Sequence, residues 1–160
     1  MKKCNTELMK ELNALGEEKN EILAFESDNC CVSYLQSETP VDTGYNYEET
    51  RRKIEAIEDR ERTIKQLLAY SNATTKVDGY DMTISESLVY LAQLSNRKRR
   101  MVTLASNLPV SRDVVYDKVQ YTKALYNVEL AKAEVKRLTE EINNLQMAID
   151  RTNLTNMIDC

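Results

Sequence analysis

The sequence predicts a mainly α fold: long antiparallel helical (coiled-coil) hairpins in an up-down four-helix arrangement, with a small β-hairpin insertion. Three observations predict it. Apolar residues recur at three-, four- and seven-residue steps through four long stretches. Breakers are scarce, with three glycines and two prolines among 160 residues. Charged residues make up 30% of the chain, many in acid-first i,i+4 pairs, which is the composition of long solvated helices. This length suits one domain, 1–160.

The first helix is expected over about 5–37, on Leu8, Leu12, Leu15, Ile22, Phe25 and Val32. Gly16 weakens it by roughly 1 kcal/mol relative to Ala. Pro40 and Gly44 end the stretch, and a second helix is expected over about 47–71. Asn46 supplies its cap, Glu49 stands three residues on, and Ile54, Ile57, Ile64 and Leu68 form its stripe. Asp78-Gly79 between β-prone residues predicts a β-hairpin over about 74–83, because Gly tolerates the positive φ of a tight turn. Thr83 and Glu86 form a capping box opening a third helix, about 84–106, on Ile84, Leu88, Leu91, Leu94, Met101 and Ala105. Alternation from Val119 to Leu125 predicts a short strand, about 119–125, as an edge partner for that hairpin. Asn127 caps the last helix, about 128–152, whose Ala131, Val135, Leu138, Ile142, Leu145 and Ile149 step four-three-four-three-four. That is a coiled-coil seam and demands a partner helix.

Much chemistry is excluded. The chain has no histidine, which removes His-activated nucleophiles and the His-based metal motifs. Gly16, Gly44 and Gly79 lie too far apart for a Gly-rich phosphate loop. No catalytic residue, cofactor or metal site is therefore expected. The net charge of −4 gives no reason to expect nucleic acid as a partner. No run of about 18 apolar residues or signal-peptide core is present, so a cytoplasmic protein is expected. Cys4, Cys30, Cys31 and Cys160 fit reduced thiols better than a disulfide framework. Asn72-Ala73-Thr74 and Asn153-Leu154-Thr155 match the glycosylation triplet, which has meaning only in a secreted chain.

Three features carry candidate function. Cys30-Cys31 is the most reactive local element, with small-residue packing as its plain reading and a redox or soft-metal role as the other. Arg97, Lys98, Arg99 and Arg100 form a basic run that spreads around a helix. Salt bridging to Glu55, Glu58, Asp59 and Glu61 is the plain reading, and a phosphate-binding patch is the other. Finally, Ser71-Asn72-Ala73-Thr74 and Thr152-Asn153-Leu154-Thr155 both follow an apolar stripe. Each Asn suits a left-handed helix cap. If helices two and four run the same way, Asn72, Thr74, Thr83, Asn153 and Thr155 instead form one polar site at the helix ends.

The order of these signals resembles the septicolysin-like family of small bacterial helical proteins. The matching residues are Ser71-Asn72-Ala73-Thr74-Thr75, Asp78-Gly79, Thr83-Ile84 and Asn153-Leu154-Thr155. The chain departs from that family at Gln36-Ser37-Glu38 and at Leu154, where the family often has Trp. The resemblance implies a small helical protein and transfers no catalytic residue. Its name implies lysis, which a chain without an export signal or membrane-inserting stretch does not suggest.

The expected function is thus that of a non-enzymatic, self-associating structural or interaction protein. Its partners would be further copies of itself, at least as a dimer, or another protein. The alternatives are a nucleic-acid accessory protein using Arg97 to Arg100, and an enzyme with a polar site at the helix ends.

Overall fold

The computed structural model describes residues 2–159 and is mainly helical. Its elements are β1 (Lys2–Cys4), α1 (Asn5–Asn29), α2 (Tyr47–Thr74), α3 (Ile84–Ala105), β2 (Val110–Val115), β3 (Lys118–Lys123), α4 (Val128–Thr155) and β4 (Met157–Asp159). The described chain divides into two compact units, residues 2–72 with 153–159, and residues 73–152.

In the first unit, less exposed positions follow a seven-residue rhythm. Thr50, Ile57, Ile64 and Ser71 are buried along α2, with Ile54 and Leu68 half-buried between them. On α1 the matching positions are buried Leu8 and half-buried Leu12, Leu15, Lys19, Ile22 and Glu26. Ties between α1 and the chain from Tyr45 to the middle of α2 run antiparallel, residues farther along α1 meeting residues earlier in the other segment. Arg60 contacts Glu11 at 2.8 Å, Lys19 meets Glu58 at 2.6 Å, and the Tyr45 hydroxyl donates to Glu26. Antiparallel pairing of β1 with β4, Cys4 opposite Met157, adds a two-stranded clamp.

Glu11 also meets Lys3 at 2.7 Å. The Arg60 hydrogen bond, then that from Lys3, lowers its carboxyl from the ordinary 4.5 to about 2. A depressed folded-state value stabilises the fold above the unfolded value and loses that contribution as pH falls toward the folded one. Melting temperature should therefore drop between about pH 4.5 and 2, by an amount reflecting on the order of 1 kcal/mol for this partly exposed cluster. Glu11→Gln should flatten that limb. An unchanged acid limb in the variant would remove Glu11 from the account.

The second unit is built around Val77, Ile84, Leu94, Leu138, Leu145 and Ile149, each no more than 2% exposed. Along α3 the covered positions are Ile84, Ser87, Leu91, Leu94, Lys98, Met101 and Ala105, alternating steps of three and four. Leu88, expected in the stripe, is 45% exposed, and Ser87 is buried instead. One residue turns a helix by about 100°, so the neighbour of a seam position leaves the seam. Ser87 Oγ has no hydrogen-bond partner among the described residues. The α4 seam follows its expected residues, with Ala131, Leu138, Leu145 and Ile149 buried and Val135 and Ile142 half-buried. Tyr90 donates to Glu141 at 2.5 Å, and Tyr126 donates to the Leu104 carbonyl at 2.8 Å, tying α3 to α4 and its approach.

Three local expectations are corrected. The first helix stops at Asn29 rather than about residue 37. There the Asn29 side chain turns back to the Phe25 carbonyl, and the Thr43 hydroxyl donates to the Asn29 carbonyl. These bonds satisfy acceptors that another turn would need. The 74–83 segment is not a β-hairpin but the end of α2 followed by a turn closed by one bridge, Lys76 to Thr83. Gly79 does take the expected positive φ, 80°. The strand expected at 119–125 lies at 118–123 and pairs with β2, not with the 74–83 segment. Its two-residue turn, Tyr116-Asp117, has φ of 49° and 60°, the left-handed pair that suits a hairpin's twist.

Candidate functional site

Asn72 and Asn153, singled out by their repeated motif, are joined through a residue that sequence reasoning passed over. Asn5 donates from Nδ2 to Asn153 Oδ1 at 3.0 Å and, more weakly, to Asn72 Oδ1 at 3.5 Å. Its own Oδ1 accepts from the Ser71 hydroxyl at 2.9 Å, and Asn156 donates to Ser71 Oγ at 2.9 Å. Asn5 is 1% exposed and Ser71 3%, so the centre of this network is dry. All five residues belong to the first unit.

Local structure explains the convergence. Asn5 is the first residue of α1, placed there by Cys4, whose N–H is capped by Glu7 at 2.9 Å. Pairing of Cys4 with Met157 brings the chain after α4 beside it. Ser71 continues the seven-residue rhythm of Thr50, Ile57 and Ile64, so the α2 seam points a hydroxyl at the amide. The sign was available in the sequence as a polar residue at a seam position, but nothing local links it to residue 5.

The helix-cap reading of the two motifs is corrected. α2 continues to Thr74 and α4 to Thr155, so Asn72 and Asn153 lie inside their last helical turns. Thr74 and Thr155 are the exposed final residues of those helices. Thr83 is committed elsewhere: its hydroxyl accepts the Glu86 N–H at 3.2 Å, and Glu86 accepts the Thr83 N–H at 2.7 Å. In the second unit Thr152 is 5% exposed, accepting from the Asp78 N–H at 3.1 Å and donating to the Ala148 carbonyl at 2.9 Å. The buried Asn5 amide thus spends its hydrogen bonds on Ser71, Asn72 and Asn153. A set satisfied in this way specifies which helix ends meet.

The basic run is spread as expected, with Arg97, Arg99 and Arg100 exposed and Lys98 half-buried. The acids expected to neutralise it are engaged by other cations. Glu58 pairs with Lys19, Asp59 with Arg62, Glu61 with Lys65, and Glu55 approaches Arg51 at 3.8 Å. Lys98 and Arg99 border a surface cavity of about 470 Å³ with Val102 and Ile142. Arg99 also donates to Asn96.

Among the described residues, no group of three Cys, Asp or Glu side chains is arranged to hold a metal, and no helix is long and apolar enough to cross a membrane. No protein-family model matches the chain, and no curated protein matches it. A crystal structure described as that of a functionally unknown conserved protein from Corynebacterium diphtheriae is similar in fold. It aligns with a TM-score of 0.69 at 16% identity, over 99% of this chain and 100% of that one.

Proposed function

We propose that this is a non-enzymatic, self-associating helical protein of the cytoplasm, each of whose units is an antiparallel coiled-coil hairpin. The observation that carries this reading is the alternation of three- and four-residue steps between covered positions in all four helices. Such a seam leaves outward faces for a partner. The proposed kinship with the septicolysin-like family belongs to the same reading and adds no activity to it.

Charge suggests how copies would meet. One exposed face of α1 carries Glu7, Glu17, Glu18, Glu21 and Asp28, with Phe25 46% exposed among them. The α3 cavity offers Lys98 and Arg99 beside Val102, itself 47% exposed. An acidic, partly apolar stripe of one copy complements a basic, partly apolar groove of another.

Light scattering over a concentration series should give at least twice the chain mass. Lys98→Glu with Arg99→Glu should shift the population toward monomer, and added salt should weaken the same contact. A monomer mass at every concentration ends this reading. A second reading, nucleic-acid binding, is favoured by one observation: none of Arg97 to Arg100 forms an ion pair with an acid among the described residues. Its sign would be a mobility shift that fades steeply with salt.

A further inference from the structure

Two adjacent thiols stand where α1 ends. Cys30 caps the helix in right-handed conformation, φ −72° and ψ −15°, its N–H bonded to the Glu26 carbonyl at 2.9 Å. The sulfurs of Cys30 and Cys31 lie 3.9 Å apart, with the Cys30 thiol donating to Cys31 Sγ. Both residues are exposed, and so is the chain from Ser33 to Val41 that follows. A disulfide has sulfurs about 2.0 Å apart, so closure requires a shift of roughly 2 Å. Nothing buried must move to allow it.

We propose that Cys30 and Cys31 are a reversible dithiol–disulfide site, oxidised by small-molecule disulfides of the glutathione type. The hydrogen bond sets the order of events. Cys30 holds its proton, so Cys31 supplies the thiolate, which attacks one sulfur of the incoming disulfide. That S–S bond breaks, and one small thiol leaves carrying the proton released by Cys31. Cys30 then loses its proton and attacks the Cys31 sulfur of the mixed disulfide, and the second small thiol leaves with that proton. Two protein thiols are oxidised by two electrons, and one small disulfide is reduced to two thiols.

The surroundings tune this site to be slow and labile. The hydrogen bond to Cys31 raises the Cys30 thiol above its ordinary range, and Glu26 adds to the effect. The helix C-terminus likewise disfavours a thiolate. Exchange should therefore accelerate as pH rises. Neighbouring Cα atoms are only about 3.8 Å apart across a trans peptide, closer than the usual disulfide range of about 4.4–6.8 Å. A strained bond of this kind is readily reduced again, as suits a transient cytoplasmic disulfide. Cys4 is not a competitor, being 7% exposed.

The test uses the full chain with Cys160→Ser, treated with oxidised glutathione at mildly alkaline pH and read by intact mass and peptide mapping. The expected product has lost two hydrogens from the peptide holding both cysteines, and dithiothreitol restores it. Cys30→Ser should stop at a persistent glutathione adduct on Cys31. Circular dichroism checks that each variant folds. Stable adducts on the parent chain without hydrogen loss, disulfides between chains, or no reaction at the pair would each overturn the proposal.

Discussion

Leu138→Asp is expected to unfold the second unit. Leu138 is 1% exposed, among Val77, Ile84, Leu94, Leu145 and Ile149. Truncating such a leucine to Ala costs about 2–5 kcal/mol. A carboxylate adds the desolvation of an unpaired charge or of the proton it must take up. The sum, upward of about 4 kcal/mol, is comparable to the whole stability of a small domain, about 5–15 kcal/mol. Urea unfolding followed by circular dichroism should show the loss, and hydrogen exchange should lose protection across α3 and α4. Leu130→Asp on the same helix is the control: at 68% exposed it should change stability by less than about 0.5 kcal/mol. Equal behaviour of the two variants would show that the seam face is not a core.

Asn5→Leu should have the second largest effect. It removes the donor to Asn153 and Asn72 and the acceptor for Ser71 in a site 1–3% exposed at its centre. A stranded buried polar group costs about 1–3 kcal/mol, so a loss of about 3 kcal/mol is expected. Combining it with Ser71→Ala should cost less than the sum of the two single variants, because the hydroxyl no longer needs a partner; that shortfall is the coupling energy of the pair. A single-variant cost below about 0.5 kcal/mol would mean the amide network contributes nothing to stability. Full additivity in the double variant would mean that Asn5 and Ser71 act separately.

The residues explain why some features were legible and others were not. The α4 seam could be read because a heptad is a local statement: Leu138 and Leu145 repeat every seven residues whatever lies opposite. The caps at Asn46, Thr83 and Asn127 were readable too, each accepting from an N–H two or three residues away. The β2–β3 turn misled because Tyr116-Asp117 carries none of the usual Asn-Gly signal, whereas Asp78-Gly79 does and sits in a turn with a single bridge. The hairpin is held by its ladder of six pairs, from Val110 opposite Lys123 to Val115 opposite Lys118, and the turn dipeptide does not reveal those cross-strand partners. The basic run was misread for a different reason: Glu55, Asp59 and Glu61 are taken by cations three or four residues away on their own helix, and only Glu58 is met from another helix, by Lys19.

By itself the sequence determined the helical class, the four helices, the caps at Asn46, Thr83 and Asn127, and the covered faces of α2 and α4, whereas Phe25 on α1 and Leu88 on α3, expected in the stripes, are exposed. Periodicity of 3.5 residues and capping are encoded within a few turns of chain. The repeated motif offered Asn72 and Asn153 as one site; tertiary structure alone decided that Asn5, Ser71 and Asn156 join them, with one bond spanning 148 positions. It also decided that the first helix ends at Asn29, where Thr43 returns to cap its carbonyl from 14 residues on. The reason is the range of the interaction. A hydrogen bond across 148 residues leaves no local trace at Asn5, whose own neighbourhood does not differ from that of an ordinary exposed asparagine.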